Sequence, residues 1–268
     1  MVKGLSLKLP RYLTRQAADT ELYNALSPGG ELVCFYTGYR LSKTSKDEAR
    51  RIFNIEHIVP RAYFKIQPDL IENDLHNMVT TLHVANSLRG NYVYDMVARP
   101  SVFMGRNEIW FGSKAAERMV GTVSRFYPKD MRVVNTMGER GTKYMNIDAD
   151  PSTLRCDFGK CKVEPLHRGA VARMIFYFIV LHYPRIDERG KMYFVKNFLD
   201  DGRLLKVLMR WDRENPIQNW EHARNQAIYK VQKNWNPLIG SYNEDGEYIR
   251  AEPEYFRKIL AKCKDISE

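Results

Sequence analysis

A carboxylate and an imidazole stand side by side at Glu56 and His57, and a carboxamide follows later in the chain at Asn91. Carboxylate and amide oxygens are hard ligands that suit Mg²⁺, an ion that commonly keeps several of its waters. A histidine with an ordinary pKa of about 6.5 is mostly neutral at pH 7 and can take a proton from water. These residue types predict hydrolysis of a phosphodiester bond, with His57 as general base and Glu56 and Asn91 as metal ligands.

The predicted cofactor is Mg²⁺, for which Mn²⁺ is a substitute. General-base assistance contributes roughly 10² to 10⁴ to a rate, whereas enzymes reach about 10⁶ to 10¹⁷, so most of the acceleration must be electrostatic. Adjacent residues of a regular strand point to opposite faces, so Glu56 and His57 can share a site only where the strand is bulged or ends. Pro60 follows shortly after and indicates that the strand stops there.

The overall charge predicts a polyanionic partner. Among 268 residues, 42 Lys and Arg outweigh 32 Asp and Glu, which gives a formal net charge of +10. Basic residues are spread along the chain, a distribution typical of a basic surface that binds nucleic acid or an anionic membrane. The alternative is a soluble protein that is basic without any such partner.

Targeting signals and cysteines point away from a secreted or membrane protein. Lys8 and Pro10 interrupt the N-terminus before a secretory apolar run develops, and the longest apolar run, from Met174 to Tyr183, is too short to cross a bilayer. We therefore expect no signal peptide and no membrane contact, and an intracellular setting or one associated with a virion or its host cell. The four cysteines are too few for a disulfide scaffold, although Cys156 and Cys161 bracket a hairpin-like turn in which a bridge is feasible.

Hydrophobic periodicity predicts an α+β protein, organised as one mixed domain over residues 1–268. No flexible linker interrupts it. The predicted parts are a helix over about 12–26, β-forming residues over 31–39, a strand, loop, strand and helix unit over about 50–95, a twisted irregular sheet over about 97–166 and a helical part over about 166–240.

Three short motifs resemble the bacterial endonuclease I family, non-specific nucleases of the His-Me finger (ββα-metal) superfamily. They are Glu56-His57-Ile58-Val59-Pro60, Asp74-Leu75-His76-Asn77 and Arg89-Gly90-Asn91. Stretches 168–173, 221–228 and 232–237 are similar to that family too, and all the matches occur in the same order over roughly residues 50–240. The strand, loop, strand and helix unit would then be the ββα-metal core.

The resemblance implies cleavage of DNA, and often RNA, with little sequence preference and with 5′-phosphate products. It places the family's general base at His57 and its magnesium ligands at Glu56 and Asn91. Secreted members carry a signal peptide and several disulfides, neither of which we expect in this chain. The family's further arginine near the scissile phosphate falls in a segment that is shortened here to about residues 61–73, where Arg61 is a candidate.

Four arginines are candidate contacts to nucleic acid, namely Arg61, Arg89, Arg168 and Arg173. Arg168 and Arg173 begin a helix with an apolar face, so each either contacts phosphate or extends to water along that face. His76 and Asn77 are predicted to be structural residues near the site, where they fix the loop through hydrogen bonds. Glu221, Arg224 and Asn225 share one helix face and are predicted to belong to the architecture.

Two alternative functions stay open at this point. One is a nucleic-acid-binding or packaging protein that has the fold but no turnover, and the other is a nuclease selective for particular DNA structures. The sequence does not distinguish DNA from RNA as the preferred substrate, single strands from double strands, or a monomer from an oligomer.

Overall fold

The computed structural model describes residues 9–24, 31–36, 40–41, 49–50, 52–64, 71–83, 86, 89, 91, 93–95, 102–104, 108–112, 132–136, 144–146, 154–157, 160–161, 165–199, 202–242 and 248–249. In the strands at 40–41, 102–161, 241–242 and 248–249, and at residues 95, 165 and 166, only the backbone is described.

The chain divides into two compact units, each built from separate segments. Unit 1 comprises Met1–Leu26, His57–Met78 and Gly169–Glu268, and unit 2 comprises Ser27–Glu56 and Val79–Arg168. The prediction of a single nuclease domain over residues 1–268 stays a prediction.

Unit 2 carries most of the β-structure. The strands are β1 (Leu32–Val33), β2 (Arg40–Leu41), β3 (Phe53–His57), β4 (Met78–Leu82), β5 (Val93–Asp95), β6 (Val102–Met104), β7 (Glu108–Gly112), β8 (Arg132–Thr136), β9 (Tyr144–Asn146), β10 (Leu154–Asp157) and β11 (Lys160–Cys161). Strands β6, β7, β8, β10 and β11 form a five-stranded sheet in the order β11-β10-β6-β7-β8, in which β7 and β8 are parallel and the other neighbours antiparallel. Strand β3 pairs with β4, β1 with β2, and β5 with β9.

Unit 1 carries most of the helical structure. Its helices are α1 (Arg15–Asn24), α2 (Pro165–Leu181, within unit 1 from Gly169), α3 (Glu188–Asn197), α4 (Arg203–Glu214) and α5 (Asn219–Gln232), and two short strands, β12 (Ser241–Tyr242) and β13 (Tyr248–Ile249), pair antiparallel after them.

Residue chemistry explains where these helices lie and where they begin. Residues 169–181 are buried on every side of α2, as expected for a helix that is apolar around its whole circumference. The Asp187 carboxylate accepts a hydrogen bond from the Gly190 backbone at 2.6 Å and so caps α3. The Gln218 and Glu221 side chains form a capping box at the start of α5.

The predicted α+β class is confirmed by this mixture of helices and sheet. The predicted helix at the N-terminus corresponds to α1, and Cys156 faces Cys161 across the antiparallel pair of β10 and β11, as the hairpin prediction required. Within the described part of the chain, no helix combines the length and the apolar composition that a membrane span needs. A buried cysteine, Cys34, is a free thiol whose sulfur accepts the Leu82 N–H at 3.3 Å.

The interior of unit 1 contains a buried carboxylate, Asp74, that accepts hydrogen bonds from several distant segments. Its donors are His182 Nε2 at 2.7 Å, Tyr177 Oη at 2.8 Å, the His76 backbone N–H at 2.9 Å and Gln232 Nε2 at 3.0 Å. Burial alone would raise the pKa of Asp74, but the hydrogen bond and charge of His182, with smaller contributions from His76 and Gln232, hold it well below its ordinary value. The carboxylate therefore stays ionised and ties the loop before β4 to the helical part.

His76 lies in the same interior as a neutral imidazole. Burial is the main reason that its pKa falls from 6.5 to about 4, and the positive charge of Arg224 adds to the effect. Its ring packs against Tyr177 with centroids 4.6 Å apart, and Nε2 is 3.3 Å from the Asn234 carbonyl, which accepts a hydrogen bond from it. The folded protein therefore binds a proton at His76 less readily than the unfolded chain does.

We expect the free energy of unfolding to fall as the pH decreases from about 6.5 toward 4, because the unfolded chain gains a proton at His76 that the folded chain resists. A single such group gives a slope of about 1.4 kcal/mol per pH unit within that window. The contribution of Asp74, whose pKa is also lowered, is lost in the same direction but over a lower range, as the pH falls below its unfolded pKa of about 4.

The variant His76→Gln should remove the contribution of His76 to that slope, as measured by urea unfolding at a series of pH values. His167 in unit 2, whose pKa burial lowers to about 4, titrates over the same window and leaves a residual slope in both proteins. An unchanged pH slope in His76→Gln would contradict the assignment of a buried neutral imidazole.

Candidate functional site

The acid and imidazole that the sequence singles out occupy the last two positions of β3. The strand ends at His57, and Pro60 precedes a short 3₁₀ turn, Arg61–Tyr63. The strand thus ends at this pair, as Pro60 indicated. The boundary between the units also falls here, with Glu56 in unit 2 and His57 in unit 1.

Glu56 is buried in unit 2 and is held by a cation and a phenol. Its Oε1 is 2.8 Å from Arg89 Nη1 and accepts a hydrogen bond from Tyr36 Oη at 2.6 Å. Glu56 is 2% exposed and Arg89 1%, so the ion pair is shielded from water. The Arg89 guanidinium also lies over the Tyr94 ring, 5.1 Å from its centroid. This environment favours the carboxylate form of Glu56, because the neighbouring charge is positive and desolvated.

The two tyrosines in this cluster remain neutral. Burial, followed by the negative charge of Glu56, raises the pKa of Tyr36 well above 10, and burial raises that of Tyr94. The two hydroxyl oxygens are 2.9 Å apart, so they share a hydrogen bond. A neutral Tyr36 keeps its proton and donates a hydrogen bond to Glu56, which fixes the position of one carboxylate oxygen.

His57 has a defined tautomer in unit 1. Its Nε2 is 2.8 Å from the backbone carbonyl oxygen of Glu72. A carbonyl oxygen only accepts hydrogen bonds, so Nε2 carries the proton and Nδ1 carries the lone pair. The Glu72 side chain forms an ion pair with Arg61 Nε, which links the same residue to the turn that follows β3. In its neutral form the imidazole has its basic lone pair on Nδ1.

Asn77 fixes the backbone just after His57. Its Nδ2 donates to the Val59 carbonyl at 3.1 Å, and its Oδ1 accepts the Val59 N–H at 2.8 Å. The Asn77 backbone carbonyl accepts the Ile58 N–H at 2.9 Å. These three bonds restrain the chain between His57 and Pro60, whereas the neighbouring His76 faces the interior described above.

The four candidate arginines occupy different environments. Arg173 is buried in unit 1, where Nε and Nη2 bind Glu221 and Nη1 binds Asp212, each at 2.8 Å. Arg89 is buried against Glu56. Arg61 has 42% of its side chain exposed, and Arg168 is half-buried. The interior positions of Arg89 and Arg173 indicate that they position protein groups, so we keep only Arg61 and Arg168 as candidate contacts to phosphate.

The polar residues predicted to belong to the architecture are buried in unit 1, and each binds a different segment. Glu221 pairs with Arg173, Arg224 Nη2 donates to the Leu75 and Met78 carbonyls, and Asn225 Nδ2 donates to the Gly240 carbonyl at 2.7 Å. Their spacing on one helix face therefore serves contacts to three different segments.

The donor chemistry suits a hard cation with few protein ligands. Glu56 offers a carboxylate kept in its ionised form by Arg89, and Asn91 offers an amide on an exposed turn before β5. Among the described residues, no group of three or more His, Cys, Asp or Glu side chains could hold a metal ion. A magnesium ion that keeps most of its waters fits this set, whereas a zinc site with four protein ligands does not.

Sequence reasoning missed the residues that orient the acid and the base. Tyr36 lies in the run of β-forming residues predicted over 31–39. A buried tyrosine hydroxyl needs a hydrogen-bond partner, so the sequence could have predicted a partner for Tyr36, which in the structure is Glu56. Glu72 acts on His57 through its backbone carbonyl, so its residue type carried no signal.

We expect Arg89→Met to lower the free energy of unfolding by about 3–5 kcal/mol, because it leaves the Glu56 carboxylate buried without its cation. The double variant Glu56→Gln/Arg89→Met should lose less than the sum of the two single variants, since the stranded charge is gone. Urea unfolding followed by circular dichroism measures the cycle. Additive losses would show that the two side chains do not interact.

Comparison with known proteins gives a consistent result. A family model described as Endonuclease I matches residues 15–131 and 124–242. The chain is 21% identical over 173 residues to Endonuclease-1 of Buchnera aphidicola subsp. Baizongia pistaciae (strain Bp), covering 64% of this chain and 47% of that protein. It is 24% identical over 221 residues to Endonuclease-1 of Buchnera aphidicola subsp. Acyrthosiphon pisum (strain APS), covering 75% of this chain and 64% of that protein.

A third relative is the extracellular deoxyribonuclease of Aeromonas hydrophila, which is 31% identical over 86 residues, 31% of this chain and 32% of that protein. The chain thus spans between about a third and two thirds of the length of these relatives. The family model, in contrast, covers the sequence from residue 15 to residue 242 and includes the acid, the imidazole and the amide. On that match, the chain belongs to the endonuclease I family.

Proposed function

We propose that this protein is a magnesium-dependent endonuclease that hydrolyses phosphodiester bonds of DNA, and also of RNA, with little sequence preference. The observation that carries the proposal is the orientation of His57 at the end of β3, with Nε2 bonded to the Glu72 carbonyl at 2.8 Å. Membership of the endonuclease I family supports the reaction class, and one relative is named as a deoxyribonuclease.

In this proposal His57 activates the attacking water. Its protonated Nε2 is bonded to a backbone carbonyl, so Nδ1 accepts a proton from water as the oxygen approaches phosphorus. The bonds of Asn77 to Val59 hold the backbone next to His57 and limit movement of the imidazole. Water attack breaks the bond between phosphorus and the 3′-oxygen. The phosphate therefore stays on the 5′ carbon of the next nucleotide, which gives a 5′-phosphate product.

Glu56 and Asn91 would hold the magnesium ion, with Mn²⁺ as a substitute. When bound, the ion supplies positive charge that offsets the negative charge building on the phosphate and on the leaving 3′-oxygen. Arg89 and Tyr36 orient the Glu56 carboxylate through Oε1. We regard the unit formed by β3, β4 and the helical residues Asn86 and Arg89 as the ββα-metal core.

Contacts to the substrate are proposed to involve phosphate groups more than base edges. Arg61 is exposed at the turn after β3 and lies four residues from His57, which makes it the leading candidate for a phosphate contact, with Arg168 as the second. Phosphate contacts carry no sequence information, so cleavage with little sequence preference follows.

We expect the purified protein to nick supercoiled plasmid in the presence of Mg²⁺ and to stop when EDTA is added. The variant His57→Ala should lower the nicking rate by about 10² to 10⁴, because it removes the base while the other groups remain. Gel quantification of the nicked and linear forms measures both effects.

The matched control is His83→Ala. His83 follows β4 and its Nε2 is bonded to the Arg50 carbonyl at 2.9 Å, so this variant also removes an imidazole from a backbone contact but leaves the proposed site intact. Nicking at the parental rate by His57→Ala, with the fold verified by circular dichroism, would refute the proposed base. Tight DNA binding with no cleavage in Mg²⁺ or Mn²⁺ would instead favour the packaging alternative.

A further inference from the structure

Two aromatic side chains are stacked where α5 ends in unit 1. The rings of Tyr229 and Trp235 have centroids 4.1 Å apart and an interplanar angle of 12°. Tyr229 is 36% exposed, and Trp235 is half-buried. An apolar contact at this position commonly accompanies the end of a helix, and aliphatic side chains would serve that purpose. A flat aromatic pair at the surface additionally offers a platform on which a nucleic acid base can stack.

Three cations lie at the same end of α5. Lys230 and Lys233 are exposed, and Lys233 follows α5 directly. The Arg11 backbone N–H donates to the Gln232 carbonyl at 2.7 Å, which places exposed Arg11 beside the same helix end. Over the ranges that the structure describes, none of the three forms an ion pair with a carboxylate. We call Arg11, Tyr229, Lys230, Lys233 and Trp235 the α5-end patch.

The backbone at Lys233 is strained. Its φ of 61° and ψ of 24° place it in the left-handed region, and among the described residues no other residue besides glycine has a positive φ. Glycine or asparagine usually occupies this position at a helix end, because a β-carbon is disfavoured there. A cation near the C-terminus suits the helix dipole, but Lys230 already provides one without strain. Strain of this kind often marks a functional residue.

We propose that the α5-end patch binds single-stranded nucleic acid, with a base stacked on the Tyr229–Trp235 pair and phosphates contacted by Lys230, Lys233 and Arg11. A single strand is the occupant because the faces of bases in a duplex are already covered by their neighbours. The positive charge of the patch is complementary to the phosphate backbone. The inference rests on the proposed function for the class of ligand, but binding at this patch does not require catalysis.

Binding is measured by fluorescence anisotropy of a short fluorescein-labelled oligothymidylate in EDTA, across a series of NaCl concentrations. Tyr229→Leu keeps an apolar side chain but loses the stacking surface, so the affinity should fall by about fivefold to a hundredfold. Tyr229→Phe keeps the ring and should retain the parental affinity. The slope of log K against log salt should be the same for all three proteins, because no charge is changed.

Lys233→Gly separates binding from folding. Glycine relieves the left-handed strain, so the melting temperature should equal or exceed that of the parent, while the affinity for the oligonucleotide falls. The magnitude of the salt slope should decrease by about 0.7, the value expected for one lost phosphate contact on a single strand. Lys230→Gln should have the same effect on the slope, whereas Lys206→Gln, which removes an exposed lysine from α4, should not.

Parental affinity in folded Tyr229→Leu, or an unchanged salt slope in Lys233→Gly, would overturn the inference. A parent that nicks plasmid but does not bind the oligothymidylate would also overturn it and would leave the proposed nuclease function intact. A parent that binds with the expected dependence on Tyr229 and Lys233 but never cleaves DNA would retain the patch and refute the nuclease proposal.

Discussion

The buried Asp74 carboxylate is the constraint on which the arrangement of unit 1 depends. A desolvated charge is costly unless hydrogen-bond donors replace its water, and here the donors come from the turn before β4, α2, the segment after α2 and the end of α5. Leu75 adds to this arrangement, because its N–H donates to Gln232 Oε1 at 2.6 Å. The loop that contains Glu72 and Asn77, the two residues that orient His57 and its backbone, is therefore fixed by helices far away in the sequence.

Unit 2 also contains a buried carboxylate, Glu56, but a different kind of partner stabilises it. Glu56 is as deeply buried as a core residue, but its charge is opposed by Arg89 and its oxygen is held by a neutral tyrosine. A carboxylate held in this way is oriented in advance, which would lower the cost of ordering it on binding the proposed magnesium ion. The acid and the base thus depend on separate sets of supporting residues, although they are neighbours in the chain.

Hydrophobic periodicity and ordered motifs are local signals, so the sequence alone predicted the fold class, the main helices and the family. It did not predict the environments of the arginines. Arg173 and Arg61 are equally basic in the sequence, yet one is buried against Glu221 and the other is half-exposed. That difference is set by which distant segments pack together, as with the bonds of Asp74 to His182, and no spacing rule encodes such contacts. The ββα-metal core and the roles at the site remain predictions.

The discontinuous make-up of unit 1 has a consequence for biosynthesis. Its middle segment, His57–Met78, leaves the ribosome long before Gln232 and Asn234 are synthesised, and contacts of such large sequence separation form late. A nascent chain therefore exposes the region of His57, the proposed base, without the scaffold that aligns it. Such a delay would keep the proposed nuclease inactive until the rest of unit 1 has been synthesised.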